Sequence, residues 1–356
     1  MPHALITQAA SEAGALIGRP MRKVRTWVLV GIACWLGVDA RGIGAADARP
    51  RPGVRNAHGL AFDGRVSVMF GGANDREVLA DTWAWDGELW QRLTAAGPEG
   101  RTFPVMVAAQ LEGVYLFGGR RVLFGADMHP AQFLSDLWLW RGQRWTRVPA
   151  TGPDARAEAA GAWDPRRRRL VVFGGYRVRN GTLDTLGDTW EFGDGQWRQA
   201  AENGPSPRHG AVAVFDHDVE EVVLFGGSGA SADTWAWNGS RWRRLEAGAV
   251  PGRYNAASSA GALELPVLRF GGWDGERRQR DTWTLRAGRW QRAFGTGPSP
   301  SPRNHAAMTY DAARGRHVLV GGHDGRRVFG DVWEADALGW RRVFSTPARS
   351  RLDNRH

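Results

Sequence analysis

One interval constrains this chain more than any other. Six tryptophans are each followed by a second seven residues later: Trp83 and Trp90, Trp138 and Trp145, Trp190 and Trp197, Trp235 and Trp242, Trp283 and Trp290, Trp333 and Trp340. The first of each pair closes an Asp-x-Trp triplet, from Asp81-Thr82-Trp83 to Asp331-Val332-Trp333. Upstream of each triplet stands a glycine pair, ending at Gly72, Gly119, Gly175, Gly227, Gly272 and Gly322. Self-similarity at a period near 50 residues means a repeat architecture, in which no unit buries its apolar surface alone and neighbours must stack.

Each unit reads as four short strands. An arginine opens it after a Pro/Gly-rich approach, at Arg55, Arg101, Arg156, Arg208, Arg253 and Arg303. An apolar run and a polar turn follow (Ala211 to Phe215, then Asp216 to Asp218), and a second run such as Glu221 to Phe225 ends in the glycine pair. The third strand carries the Asp-x-Trp tryptophan, usually with an aromatic two residues on and so on the same face (Trp83/Trp85, Trp138/Trp140). Asp86-Gly87, Asp194-Gly195 and Asn238-Gly239 supply tight hairpins into the fourth strand. Fifteen of the 19 tryptophans lie on these strands, each worth about 150–250 Å² of buried surface, so they read as core. Trp163 and Trp273 fall outside the set.

The combination of Pro-Arg, Phe-Gly-Gly, Asp-Thr-Trp and the later Trp resembles the kelch repeat. That resemblance implies an all-β, six-bladed kelch β-propeller with four antiparallel strands per blade and the first strand innermost. The expected blades are residues 52–99, 100–152, 153–204, 205–250, 251–298 and 299–346, within a propeller over 49–346. Because the first unit supplies its own opening strand and the last its own fourth strand, each blade is expected from one contiguous unit. Residues 347–356 read as a disordered Arg-rich tail.

Residues 1–48 read as an extension with an export signal: Arg22, Lys23 and Arg25, then an apolar Trp27–Val38, then cleavage sites after Ala40 or Ala48, with Met21 as the expected start. The only cysteine, Cys34, lies inside that signal, so the exported chain has no thiol chemistry and no disulfide. A secreted or periplasmic location follows as the expectation, with membrane contact only through the signal. Basic residues outnumber acids 47 to 37, and every basic residue but Lys23 is arginine. No basic run interleaved with aromatics is present, so nucleic acid is not expected as a partner.

Function is sought where the units differ. From the second glycine to the aspartate the intervals are 9, 17, 13, 6, 9 and 9, whereas the other links are nearly constant. The variable connection between second and third strands marks a binding face. The longest, Arg120 to Ser135 and Tyr176 to Gly187, carry Phe124, His129 and Phe133 in the first case. Two readings of the opening arginines stand open: a cationic collar at the channel mouth that binds anions through bidentate bonds, or pairing with the repeated aspartates. Candidate ligand-binding residues are Arg208, Arg253, Arg303, Tyr176, Trp273 and His323; His209 and His305 are further candidate ligands or bases. No metal, cofactor or catalytic residue is expected. The reading is a monomeric binding module for a protein, glycan or anionic group. Its alternative is a sugar-modifying enzyme of the sialic acid mutarotase type. The copper chemistry of galactose oxidase needs a cysteine that the exported chain lacks.

Overall fold

The computed structural model describes residues 50–123, 129–229, 231–262, 265–295 and 297–345. The expected export signal, Phe124 and the C-terminal tail lie outside them. Six four-stranded antiparallel sheets follow one another along the chain, each in simple up-and-down order. Blade one is Gly59–Phe62, Ser67–Phe70, Thr82–Trp85 and Trp90–Leu93. Among the described residues, no sheet borrows a strand from the far end of the chain. The all-β, six-bladed arrangement predicted by the repeat is the one observed.

First strands form the inner wall. Gly59–Phe62, Val105–Ala108, Ala160–Asp164, Ala211–Asp216, Ala257–Ser259 and Ala307–Asp311 each run beside the next, and the last runs beside the first. Each junction between blades carries an apolar cluster drawn from both sides. At the closing junction, Trp85, Trp90 and Met69 of blade one meet Val318, Val320 and Val332 of blade six.

The tryptophans also bond across these junctions. The fourth-strand indole N–H donates to the threonine of the preceding blade's Asp-Thr-Trp: Trp145 to Thr82 (3.1 Å), Trp242 to Thr189 (2.8 Å), Trp290 to Thr234 (3.2 Å) and Trp340 to Thr282 (2.9 Å). Where the preceding triplet has Leu137 or Val332 instead, the indole nitrogens of Trp197 and Trp90 are buried without a partner. Thus a single departure within the triplet predicts which junctions lose a hydrogen bond.

The motif residues form a clamp inside each blade. The opening arginine is buried and meets the repeated aspartate: Arg55 holds both Asp81 oxygens (2.7 and 3.0 Å) and Arg101 both Asp136 oxygens (2.6 and 2.9 Å). The third-strand indole donates to the same carboxylate, as Trp83 to Asp81 and Trp138 to Asp136, both at 2.6 Å. Spacing of two places Asp and Trp on one face of the strand, so Asp-x-Trp is a geometric requirement. The second glycine's N–H donates to the next blade's arginine carbonyl, in blade one Gly72 to Arg101 at 2.8 Å and in blade six Gly322 to Arg55 at 3.0 Å. The first glycine has positive φ (68° at Gly71), and a Cβ there would lie 2.8 Å from the Arg101 carbonyl oxygen. Both facts require glycine.

Two residues after the arginine, the backbone closes a circle. Phe103 N–H donates to the Ala57 carbonyl (2.8 Å), Glu158 to Phe103 (3.3 Å), Gly210 to Glu158 (2.9 Å), Asn255 to Gly210 (2.8 Å), His305 to Asn255 (3.2 Å) and Ala57 to His305 (2.9 Å). All six residues have φ between 50° and 64°, although only one is glycine. Such backbone costs on the order of 1 kcal/mol or more per non-glycine residue. The interblade bonds hold it in place.

Candidate binding face and channel mouth

The arginines and glycines define one face of the ring, and the side chains around the circle line its axial mouth. Position for position, the residues after each arginine are Asn56-Ala57, Thr102-Phe103, Ala157-Glu158, His209-Gly210, Tyr254-Asn255 and Asn304-His305. Each first member pairs with the residue after a glycine pair, by backbone bridges such as Thr102 with Arg120, Ala157 with Tyr176, Tyr254 with Trp273 and Asn304 with His323. Tyr176, Trp273 and His323 are therefore equivalent positions on one circle around the mouth.

Their surroundings differ. Tyr176 is buried, its ring 4.9 Å from that of His209 and 5.5 Å from that of Phe133. Trp273 is half-buried with the Arg278 guanidinium 5.0 Å over its ring. His323 is half-buried, and its Nε2 lies 2.9 Å from Nδ1 of His305. The mouth thus assembles Tyr176, His209, His305 and His323, while Trp273 stands to one side under an arginine.

The three candidate arginines sit elsewhere. Arg208 meets both oxygens of Asp233 (2.5 and 3.0 Å) and Arg303 both oxygens of Asp331 (2.6 and 3.0 Å); Arg253 meets Asp281 once (2.7 Å). All three are buried in the blade clamps, so they present no open guanidinium at the mouth. Blade five departs from the pattern. Its second strand carries Arg269, fully buried, where the other blades have Met69, Leu116, Val172, Leu224 and Leu319. Arg269 takes the Pro251 carbonyl (3.2 Å), lies 3.9 Å from Asp281, and is caged by the rings of Phe225, Trp283 and Trp290 at 4.8–5.6 Å. Burial pushes its guanidinium down to about 9, with Asp281 opposing.

Glu158 is the hub of the mouth. Its Oε2 accepts from His209 Nδ1 (3.0 Å), Tyr254 Oη (2.7 Å) and Asn255 Nδ2 (3.2 Å). Asn255 Nδ2 also reaches His305 Nε2 at 2.8 Å, and His305 continues to His323. The arc spans blades three to six. Burial alone would raise the Glu158 carboxyl, but the His209 hydrogen bond and its other partners hold it below the ordinary value. Burial, then the Glu158 charge, pushes the Tyr254 phenol up. Burial, then His323, lowers His305 to about 3, so it is neutral at pH 7. Among the described residues, no group of three or more histidines, cysteines and carboxylates is placed to hold a metal ion.

Beside the mouth rises a wall. The Tyr176–Gly187 connection, read from sequence as a loop, contains a hairpin of Tyr176–Arg179 and Thr182–Thr185 turned by Asn180-Gly181 at positive φ. It packs on the blade-two connection, where His129 caps the short 3-10 turn Pro130–Gln132. Phe133, Ala157, Tyr176 and Val178 form a small core between them. The described parts of the two longest variable segments thus pack into one projection.

Spaces open toward both ends of the axis. One of about 1290 Å³ opens among the turns between first and second strands, at the end opposite the clamps. The other, about 130 Å³, lies at the mouth, lined by side chains including Phe103, Glu158, Asn255 and His305. The Phe103 and His305 rings meet at 4.9 Å across the small Ala57. Glu158, Tyr254, Asn255 and Phe103 were not among the residues the sequence singled out. Aligning the two positions after each opening arginine is the signal that finds them.

A family model described as the KLHDC2/KLHL20/DRC7 Kelch-repeats domain matches residues 166–346, just over half of the chain, from within blade three through blade six. Kelch propellers are typically protein-interaction modules. The same clamp of arginine, glycine pair and Asp-x-Trp recurs in the two blades before the match. The chain belongs to the kelch-repeat family of β-propellers.

Proposed function

We propose that the chain is a non-enzymatic binding module that engages a partner protein on the face carrying the clamps and variable connections. The observation that carries this reading is the wall. Length variation in a surface loop costs little, about 0.6 kcal/mol per doubling, and needs no internal core. Here the two longest segments share one, Phe133 against Tyr176 and Val178, beside a polar mouth. The exposed tip, Arg179 to Leu183, stands outside that core. We further propose that residues 1–48 direct export, which the order of Arg22, Lys23, Arg25, Trp27–Val38 and Ala48 supports.

The test is a variant whose hairpin (177–185) is replaced by a short linker, compared with the parent for proteins captured from the extracytoplasmic fraction. A partner that binds the parent and not the variant, at unchanged melting temperature, supports the reading. A purified partner that binds both equally sinks it, and specific signals on a glycan array would replace protein by carbohydrate as the ligand. N-terminal sequencing of secreted protein should begin at Arg41 or Arg49; a start before residue 35 refutes the export proposal. One observation favours the sugar-modifying alternative, the 3.0 Å contact of Glu158 with His209. Mutarotation of a reducing sugar that Glu158→Gln abolishes would establish the enzyme.

A further inference from the structure

Buried carboxylates in this protein are matched by arginines almost throughout. Each clamp aspartate has its opening arginine, Arg167 serves Asp164 and Glu191, and Arg314 serves Asp311 and Glu334. Asp216 has none, but burial pushes its carboxyl up toward the neutral form. Glu158 is different: it is 6% exposed, it is held in the anionic form, and its one ion-pair contact is the His209 imidazole. An anion removed from water without a cation costs several kcal/mol, so its retention asks for a partner.

The geometry says where that partner sits. All three hydrogen bonds to the carboxylate land on Oε2, and Oε1 accepts none among the described residues. The side chain lines the axial space of about 130 Å³, as do Phe103 and His58. His58 is buried with both ring nitrogens sealed from solvent, so it lines the space without offering an acceptor there. Burial, then Arg55, lowers it to about 3, so the ring is neutral at pH 7. Two nearby arginines are occupied in other ways. Arg120 lies over the Phe103 and Tyr176 rings and bonds the Tyr176 phenol; Arg278 lies over Trp273 and donates to Asn304 Oδ1. Neither makes an ion pair with Glu158.

We propose that the axial space at the mouth binds a primary ammonium group, with Glu158 Oε1 accepting its N–H bond and the Phe103 ring against its alkyl stem. The group comes either from a lysine side chain presented by a protein on this face or from a small free amine. The first source rests on the binding-face reading above; the second does not. An ammonium fits because it brings the positive charge and the N–H donors that the open oxygen of a buried carboxylate can accept.

The experiment uses the whole purified protein, with n-butylammonium as probe and tetramethylammonium, which has no N–H, at the same ionic strength. Backbone amide NMR shifts at Ala57, Phe103, Glu158 and Asn255 should saturate with n-butylammonium and not with tetramethylammonium. Glu158→Gln, which keeps the shape and loses the charge, should weaken the effect at least about ten-fold. Equal response to both cations, equal affinity in Glu158→Gln, or no response at these amides overturns the proposal. If the variant does not fold, the comparison of the two cations in the parent decides. The hairpin-shortened variant should still bind n-butylammonium, so failure of the wall as a partner site and failure of this site read out separately. Binding of Nα-acetyl-lysine methylamide as well as n-butylammonium points to the lysine source; binding of the free amine alone points to the other.

Discussion

Replacing Val332 by Thr should stabilise the ring at its closing junction. Four fourth-strand tryptophans donate to a threonine of the preceding blade at 2.8–3.2 Å, whereas Trp90 faces Val332 and its indole nitrogen is buried unpaired. Val332 is fully buried, so the substitution exchanges one methyl for a hydroxyl at the same volume. Losing the methyl costs about 1 kcal/mol of transfer free energy. Satisfying a buried N–H recovers about 1–3 kcal/mol. The balance is a gain of about 1 kcal/mol, roughly 2 °C in melting temperature for a domain of this size. The opposite change, Thr282→Val, orphans the Trp340 indole and should cost about 1–3 kcal/mol. Both variants are compared with the parent by calorimetry and urea unfolding. A lower melting temperature for Val332→Thr, with Thr282→Val behaving as expected, would refute the idea that the six junctions are chemically equivalent.

Asp136→Ala leaves Arg101 buried without its carboxylate and should cost about 3–5 kcal/mol by urea unfolding, with most of it restored when Arg101→Met is added. Arg269→Met replaces a buried guanidinium that shares Asp281 with Arg253, and the melting temperature should rise, within the roughly 1–4 kcal/mol seen when buried charges become apolar. Acid should destabilise the fold well above the carboxylate range. His58 and His305 are lowered to about 3 and His317 to about 4, each chiefly by burial. Above pH 6.5 these rings are neutral in both states and stability is complete. As pH falls below 6.5 only the unfolded chain takes up their protons, so stability declines until the folded rings titrate near pH 3–4. By pH 5 the loss is on the order of 2 kcal/mol per histidine, and replacing His317 by Gln should flatten a plot of melting temperature against pH.

Most of the ring was legible because its rules repeat. Asp-x-Trp, the glycine pair and the opening arginine form the same bidentate clamp in five blades and a looser one in blade five, so repeated chemistry forces repeated residues. The arginines themselves were ambiguous in sequence, because guanidinium suits an internal carboxylate and an external anion equally. Only burial separates the two. The Tyr176–Thr185 hairpin could have been found: Asn180-Gly181 flanked by Val178 and Leu183 is a hairpin signal, hidden by polar neighbours. The hub at Glu158 could not be seen as a unit. Its members come from four blades, about 50 residues apart in sequence, and the circle they stand on is set by backbone shape. Ala57, Phe103, Glu158, Gly210, Asn255 and His305 have no side-chain chemistry in common.

The closing junction uses the same apolar packing and interblade backbone bonds as the other five, with no exchanged strand among the described residues, and this bears on how such a chain can be rearranged. Residues near the two ends of the described chain already meet, the Arg51 guanidinium lying 5.4 Å over the Phe344 ring. A short linker from residue 345 to residue 50 would make the backbone continuous, and a cut in any of the other links between blades would give a circular permutant with every sheet intact. The same independence lets a whole blade be duplicated or lost as a block of sequence. What must be relearned in that case is the curvature of the ring, since each sheet brings its own clamp with it.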